Sequence, residues 1–234
     1  MQKRTLEAVF RDICSVEGPL RERLEAFSQA VRELGLPYAE AYDDLAARLK
    51  ASQAGAAAPG PGDTMPLFVL PDASGHLVGL SSLLEDGPVV ISFNRGHWCE
   101  YDAIELSALR QALNEIASHG AKVVSIMPET QEFISKIYTD QETSFTLLSD
   151  VDNSYALIVG LVIWLGEKVR NLYLEHGLRL DQYQGSGAWF VPIPATFVVG
   201  TDGRIVSRYV DPDFRKRMEI KDILAALKVA KCRH

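Results

Sequence analysis

Cysteine is scarce in this chain: Cys14, Cys99 and Cys232 are the only three in 234 residues. They are too few and too scattered for a disulfide framework or a zinc knuckle. A Lys/Arg excess is also missing, with 24 basic against 31 acidic residues and a net charge of −7. That balance argues against a nucleic-acid partner, because phosphate neutralisation needs surplus cations, and it offers little attraction to an anionic membrane. No long hydrophobic run is present. The longest, Ala156 to Gly166, falls well short of the ~20 residues that span a bilayer. The opening MQKRTLEAVFRDI interleaves apolar and charged residues, unlike the unbroken apolar run and small-residue cleavage site of a secretory signal. The expected location is the cytoplasm, where thiols stay reduced. There is no Walker-type loop, and Gly185-Ser186-Gly187 neither follows a strand nor opens a helix, so no dinucleotide fingerprint is present. His97, Cys99 and Asp102 are metal-ligand types, but no second Cys/His cluster completes a site, and neither metal nor cofactor is expected.

What remains is ordinary globular material, 47% hydrophobic and 24% charged, long enough for one domain with an appendage. Residues 1–51 read as a helical arm. Leu6, Val9, Phe10 and Ile13, then Leu20, Leu24, Phe27, Val31 and Leu34, recur at three- and four-residue steps. Gly18-Pro19 and Gly35-Leu36-Pro37 break the arm into three helices. Its apolar stripe needs a partner surface, either its own main domain or, in a homodimer, a second copy. Residues 52–63 are small and rich in Pro and Gly, a linker by composition.

From residue 64 the period changes. Leu67 to Leu80 reads as two short extended segments around Asp-Ala-Ser-Gly. Pro88 to Phe93 is an apolar run of the kind buried on both faces of a parallel sheet. One amphipathic helix carried by Ile104, Leu106, Leu109, Leu113 and Ile116 follows, then a strand over Lys122 to Met127, giving a β-α-β unit. A helix (Thr130 to Thr139), a strand (Phe145 to Leu148), an insertion (Asp150 to Phe190), a hairpin around Thr201 to Arg204 and a closing helix from Ile220 complete the pattern. Within the insertion, the Ala156 to Leu165 run reads as core, or as a lid or dimer surface.

Phe93 to Asp102 (Phe-Asn-Arg-Gly-His-Trp-Cys-Glu-Tyr-Asp) leaves a buried strand and opens a helix with a cysteine at its start. Free amides and the positive end of the helix dipole at such a junction favour thiolate over thiol, and thiolate is the nucleophile. Arg95 adds a positive charge four residues upstream. The plainer alternative for Cys99 is a small apolar core residue.

This stretch resembles the thioredoxin superfamily, in which an aromatic precedes a cysteine that opens a helix. More closely it is similar to the peroxiredoxin-like (alkyl hydroperoxide reductase/thiol-specific antioxidant, redoxin) branch with an Arg-Gly-x-Trp-Cys-x-Tyr-Cys motif, here Arg95-Gly96-His97-Trp98-Cys99-Glu100-Tyr101-Asp102. Gly62-Asp63, Phe68 to Asp72, Leu148-Ser149-Asp150, Val191 to Thr196 and the helical arm extend the resemblance. It implies an α/β, thioredoxin-like fold, a central mixed sheet flanked by helices, over residues 64–234. It also implies that Pro194 is cis and sits beside Cys99, with the Ile193 backbone free to bond an extended substrate.

Two departures shape the mechanism. Asp102 stands where the branch has its second cysteine, so dithiol exchange at this site is excluded; the carboxylate either opposes the thiolate or serves as an N-terminal-turn acid. The Pro-x-x-x-Thr-x-x-Cys motif of peroxiredoxins proper is not kept: Ser92 and Gly96 stand at its proline and threonine positions, which weakens the expectation of fast peroxide reduction. The expectation is one-cysteine chemistry: Cys99 attacks a hydroperoxide, becomes a sulfenic acid, and an external thiol (thioredoxin, glutaredoxin or glutathione) restores it. Arg95 would stabilise the thiolate and orient the peroxide, His97 would donate a proton or be merely solvated, and Trp98 would wall the site. Cys232 and Cys14 are candidate resolving thiols. A monothiol disulfide or glutathione-linked oxidoreductase and a non-enzymatic redox sensor are the alternatives.

Overall fold

The apolar runs 89–93, 122–127 and 195–199 cannot spare a face for solvent, and they form the middle of one sheet. The computed structural model describes residues 5–140 and 145–231. Among them the order is α1 (Leu6–Ser15), α2 (Leu20–Glu33), α3 (Tyr38–Ala51), β1 (Val69–Pro71), β2 (Leu77–Gly79), α4 (Leu80–Glu85) and β3 (Val89–Phe93). Then come α5 (Glu100–Gln111), α6 (Leu113–Ser118), β4 (Lys122–Met127), α7 (Gln131–Asp140), β5 (Thr146–Ser149), α8 (Ser154–Ile158) and β6 (Val162–Trp164). The chain closes with α9 (Glu167–Glu175), α10 (Leu180–Gln184), β7 (Phe190–Pro192), β8 (Ala195–Val199), β9 (Ile205–Val210) and α11 (Ile220–Lys231). The main sheet runs β5-β4-β3-β8-β9. The first three strands are parallel, and β8 and β9 are antiparallel to their neighbours. This is the expected mixed sheet flanked by helices, and no helix of the described residues is long and apolar enough to cross a membrane.

Side chains alternate across the sheet as strand geometry requires. Val89, Ile91 and Phe93 join one core, and Val90 joins the other. On Val90's face one row is polar: Ser92 stands level with Ser125 of β4 and Thr196 of β8. The helix read as a single one after β3 is two, divided at Ala112 (φ −89°, ψ 0°), where nothing in the local sequence marks a break.

The arm lies on its own main domain. α1 and α2 pack on α5, and α3 packs on α9. Leu20, Leu24, Phe27 and Val31 form the buried stripe of α2. The Glu219 carboxylate accepts from the Leu20 and Arg21 amides at 3.2 and 2.7 Å, satisfying the free donors at the start of α2. Arg23 donates to the carbonyls of Ile13 and Cys14 and to Ser107, tying α1 to α5. The Pro/Gly stretch is laid along β9: the Gly62 amide donates to the Ile205 carbonyl at 2.8 Å, and Ala58 is buried.

One glycine at the start of β3 is sterically fixed. Gly87 has φ +149°, and a Cβ there would lie 2.1 Å from the Gly120 carbonyl oxygen. Gly87→Ala should cost about 2 kcal/mol or more, because backbone rather than a flexible side chain must move; urea denaturation measures it.

Candidate active site

Cys99 caps α5 with extended backbone (φ −98°, ψ 112°), and its side chain makes no capping hydrogen bond. The amides of the preceding loop are already engaged. Those of Arg95 and Gly96 donate to Asp102 Oδ2 at 2.7 and 3.2 Å, that of His97 to Glu129 Oε2 at 3.1 Å, and that of Cys99 to the Gly96 carbonyl at 3.1 Å. The expected hydrogen bond from the first turn of α5 to the sulfur is absent. In the loop, Asp102 and Glu129 hold the donors, carboxylates being stronger acceptors than sulfur.

The donor that does reach the sulfur is Arg95. Its Nη2 lies 2.8 Å from Cys99 Sγ. Both residues are 1% exposed. Burial pushes the Cys99 thiol up, to about 12, and Asp102 adds to the rise, while Arg95 and Arg217 pull it back. In this closed arrangement the sulfur rests as a thiol. The guanidinium is stacked over the Phe214 ring at 3.7 Å and lies 5.1 Å from the Trp98 ring. Its Nε and Nη1 are buried without a hydrogen-bond partner.

Behind the sulfur runs a buried polar network. Arg217 donates from Nη2 to Asp102 Oδ1 at 2.5 Å and from Nε to Glu105 Oε2 at 2.6 Å. Glu105 also accepts from Asn94 Nδ2 at 2.9 Å and from the Ser92 and Thr196 hydroxyls. Asp102 and Glu105 share a helix face because they are three residues apart. Asp102 opposes the Cys99 thiolate, one of its two expected roles, and has a further one that the sequence did not suggest: it accepts from two loop amides and from Arg217.

In front of Arg95 lies a cleft of about 90 Å³. Its floor is buried Tyr42, Tyr101, Tyr173, Phe27 and Val31, and its rim includes Leu6, Tyr38, Trp98, Glu100 and Leu178. The Tyr42 and Tyr173 hydroxyls are 3.1 Å apart.

A family model described as the AhpC/TSA family matches residues 61–208, which hold Cys99 and Arg95. The chain belongs to the AhpC/TSA family. A putative peroxiredoxin of Mycobacterium tuberculosis is 31% identical over 148 residues, 62% of this chain and 82% of that protein. Peroxiredoxin Bcp of Escherichia coli K12 is 30% identical over 107 residues, 46% of this chain and 66% of that one. The crystal structure of peroxidoxin BcpB from M. tuberculosis superposes with a TM-score of 0.57 at 25% identity, covering 73% of this chain and 97% of that one.

For an AhpC/TSA protein, Gly96 is the informative departure. It stands where the peroxiredoxin motif has threonine, and its φ is +141°. A Cβ there would meet Trp98 Nε1 at 2.5 Å and Glu129 Oε1 at 2.8 Å. The space beside the backbone is already taken, so no side-chain hydroxyl is offered to a peroxide from this position.

Other sequence-read residues fall elsewhere. His97 places Nδ1 2.5 Å from Glu129 Oε1 and packs between the Phe133 and Tyr183 rings. It does not line the cleft that Arg95 floors. Trp98 does wall that cleft, with its Nε1 buried and unpartnered. The cis assignment for Pro194 is wrong: no cis peptide bond occurs among the described residues, so Ile193–Pro194 is trans. Nor is the Ile193 amide free for a substrate, because it donates to the Leu161 carbonyl at 2.8 Å within the β6–β7 region. The inserted segment supplies that pairing, which a superfamily analogy did not anticipate. Cys14 is a partly buried free thiol on α1, raised in pKa chiefly by burial. Cys232 lies outside the described residues. Sequence reasoning missed Arg217, Glu105, Tyr42 and Tyr173. Ser92 and Ser125, hydroxyls inside otherwise apolar strands, were the available signal for a buried polar partner.

Proposed function

We propose that the chain is a thiol-dependent peroxidase that uses Cys99 as its only redox cysteine. Family membership carries the peroxidase reading, and the Arg95 Nη2–Cys99 Sγ contact of 2.8 Å carries the assignment to this sulfur. Peroxide entering the cleft meets Arg95, while Cys99 lies behind it; an opening beside Arg95 exposes the sulfur, relieves the burial that keeps it protonated, and leaves Arg95 to hold the thiolate. The sulfur attacks the terminal oxygen of ROOH, an S–O bond forms as the O–O bond breaks, and the electron pair leaves on RO⁻. Arg95 stabilises that oxyanion until a proton from water gives ROH. Cys99 is oxidised by two electrons to a sulfenic acid. One external thiol condenses with it to a mixed disulfide and water; a second releases the thiol and a disulfide. Thioredoxin, glutaredoxin and glutathione are the reductant classes suited to that step.

Cys99→Ser should abolish peroxide consumption in the presence of reductant, and Cys14→Ser and Cys232→Ser should leave it within about twofold, since a single-sulfur cycle needs no resolving cysteine. Equal rates in Cys99→Ser and the parent would end the proposal.

A second reading, a redox sensor oxidised once without turnover, draws on the 1% exposure of Cys99. Peroxide consumed far beyond one equivalent per chain excludes it; a single equivalent supports it.

A further inference from the structure

Arg95 is a buried cation with no carboxylate in hydrogen-bond contact, although Asp102 and Glu100 lie near enough to feel its charge. Its one side-chain hydrogen bond goes to Cys99, and Nε and Nη1 have no partner. Trp98 also lines this cleft, although its own unpartnered Nε1 is turned towards Gly96 and Glu129. Leaving such donors unmet costs free energy, so the cleft is built for an oxygen acceptor. The same lining holds apolar side chains, Leu6, Phe27, Val31 and Leu178. A cleft lined by both unpartnered donors and hydrocarbon fits an amphipathic ligand with its oxygen at Arg95.

The apolar lining comes mainly from outside the family-matched segment. Leu6, Phe27, Val31, Tyr38 and Tyr42 all precede residue 61, where that match begins. Packing alone explains a docked arm, but not a docked arm that leaves a cleft over unpartnered donors.

We propose that the helical arm is the specificity element of the peroxidase site. This rests on the peroxidase reading above. The –OOH group bonds Arg95, and a short branched alkyl group sits against Val31, Phe27, Leu6 and Leu178. A cleft of about 90 Å³ holds a small alkyl group, and a longer chain would have to run out past the rim. Hydrogen peroxide, with no carbon, leaves the apolar lining unused. The arm therefore selects compact alkyl hydroperoxides over hydrogen peroxide.

The test compares kcat/KM for tert-butyl hydroperoxide with that for hydrogen peroxide, in the full chain and in two variants. Val31→Phe fills space beside the apolar side chains. Leu178→Phe narrows the partly exposed rim and keeps the test available if a larger residue at Val31 unsettles the core. Each should lower the ratio at least about tenfold, the scale of a methylene-sized misfit in an apolar pocket. A ratio unchanged in folded Val31→Phe and Leu178→Phe overturns the assignment. Tryptophan fluorescence of Cys99→Ser titrated with tert-butyl hydroperoxide reads binding apart from chemistry, because Trp98 lines the cleft. A saturable change, lost in Cys99→Ser carrying Val31→Phe, supports the cleft. Binding with no turnover by the parent chain would overturn the peroxidase reading and leave the cleft assignment standing. Turnover with no saturable binding and an unchanged ratio would do the reverse.

Discussion

Arg95→Met is expected to lower kcat/KM for hydroperoxide about 100- to 1000-fold, the usual loss when a preorganised donor to a developing oxyanion is removed. The fold should survive it. Methionine fills much of the space between the Phe214 and Trp98 rings where the guanidinium now sits, and sulfur–aromatic contacts are favourable. The substitution also removes a buried cation whose only side-chain partner is a sulfur. Stability should therefore stay within about 1 kcal/mol of the parent or rise, as when buried charges give way to apolar side chains. Steady-state kinetics and urea denaturation on one preparation check both halves. A large loss of both activity and stability would make Arg95 a structural residue and remove it from the chemistry.

Arg217→Met should behave in the opposite way. Arg217 is as buried as Arg95, but it neutralises two carboxylates, Asp102 and Glu105, at 2.5 and 2.6 Å. Deleting it strands two buried acids. The expected loss is about 3–5 kcal/mol, the cost of breaking a buried pair by removing one partner. For a chain of this size that lowers Tm by about 10 °C. Adding Asp102→Asn and Glu105→Gln to Arg217→Met should return part of the stability, because the remaining groups are then neutral and the effects are coupled through one network. Calorimetry of the single and triple variants decides. If Arg217→Met alone unfolds like the parent, the network contributes little and the Asp102 loop is held by other contacts.

The contrast between these two arginines shows where sequence reading runs out. Arg95 was legible because it sits four residues before the cysteine at a strand-to-helix junction, where local geometry brings it near. Arg217 lies 115 residues from Asp102 and carries no local motif, so only the folded chain reveals the pair. The sheet was legible for a related reason: β3, β4 and β8 are nearly unbroken apolar runs, and such runs have few places to go. The arm's three helices were legible from periodicity and from Pro and Gly breaks, although its contribution to the cleft was not. A hydrogen bond from the helix start to the sulfur failed as an expectation, since the Cys99 side chain makes none. The loop amides before it are taken by Asp102, Glu129 and the Gly96 carbonyl. The cis-Pro194 expectation failed because it came from analogy alone, whereas the local sequence pattern was compatible with an ordinary trans proline before a strand. Asp102 was legible as the end of dithiol chemistry, and its second life as the organiser of the loop followed only from its contacts.

The central claim is that Cys99 is the sulfur oxidised by peroxide and that its reactivity is governed by a raised pKa set chiefly by burial. Limited oxidation of the full chain by tert-butyl hydroperoxide, with dimedone trapping and mass spectrometry at pH 7, 8 and 9, tests it directly. Because the thiol lies above this range, the thiolate fraction grows about tenfold per pH unit, and the initial rate of labelling should climb across all three pH values without a plateau. The account predicts dimedone on Cys99, rising in that manner, and none on Cys14 or Cys232. Label on either of those two cysteines with Cys99 unmodified at every pH would contradict it.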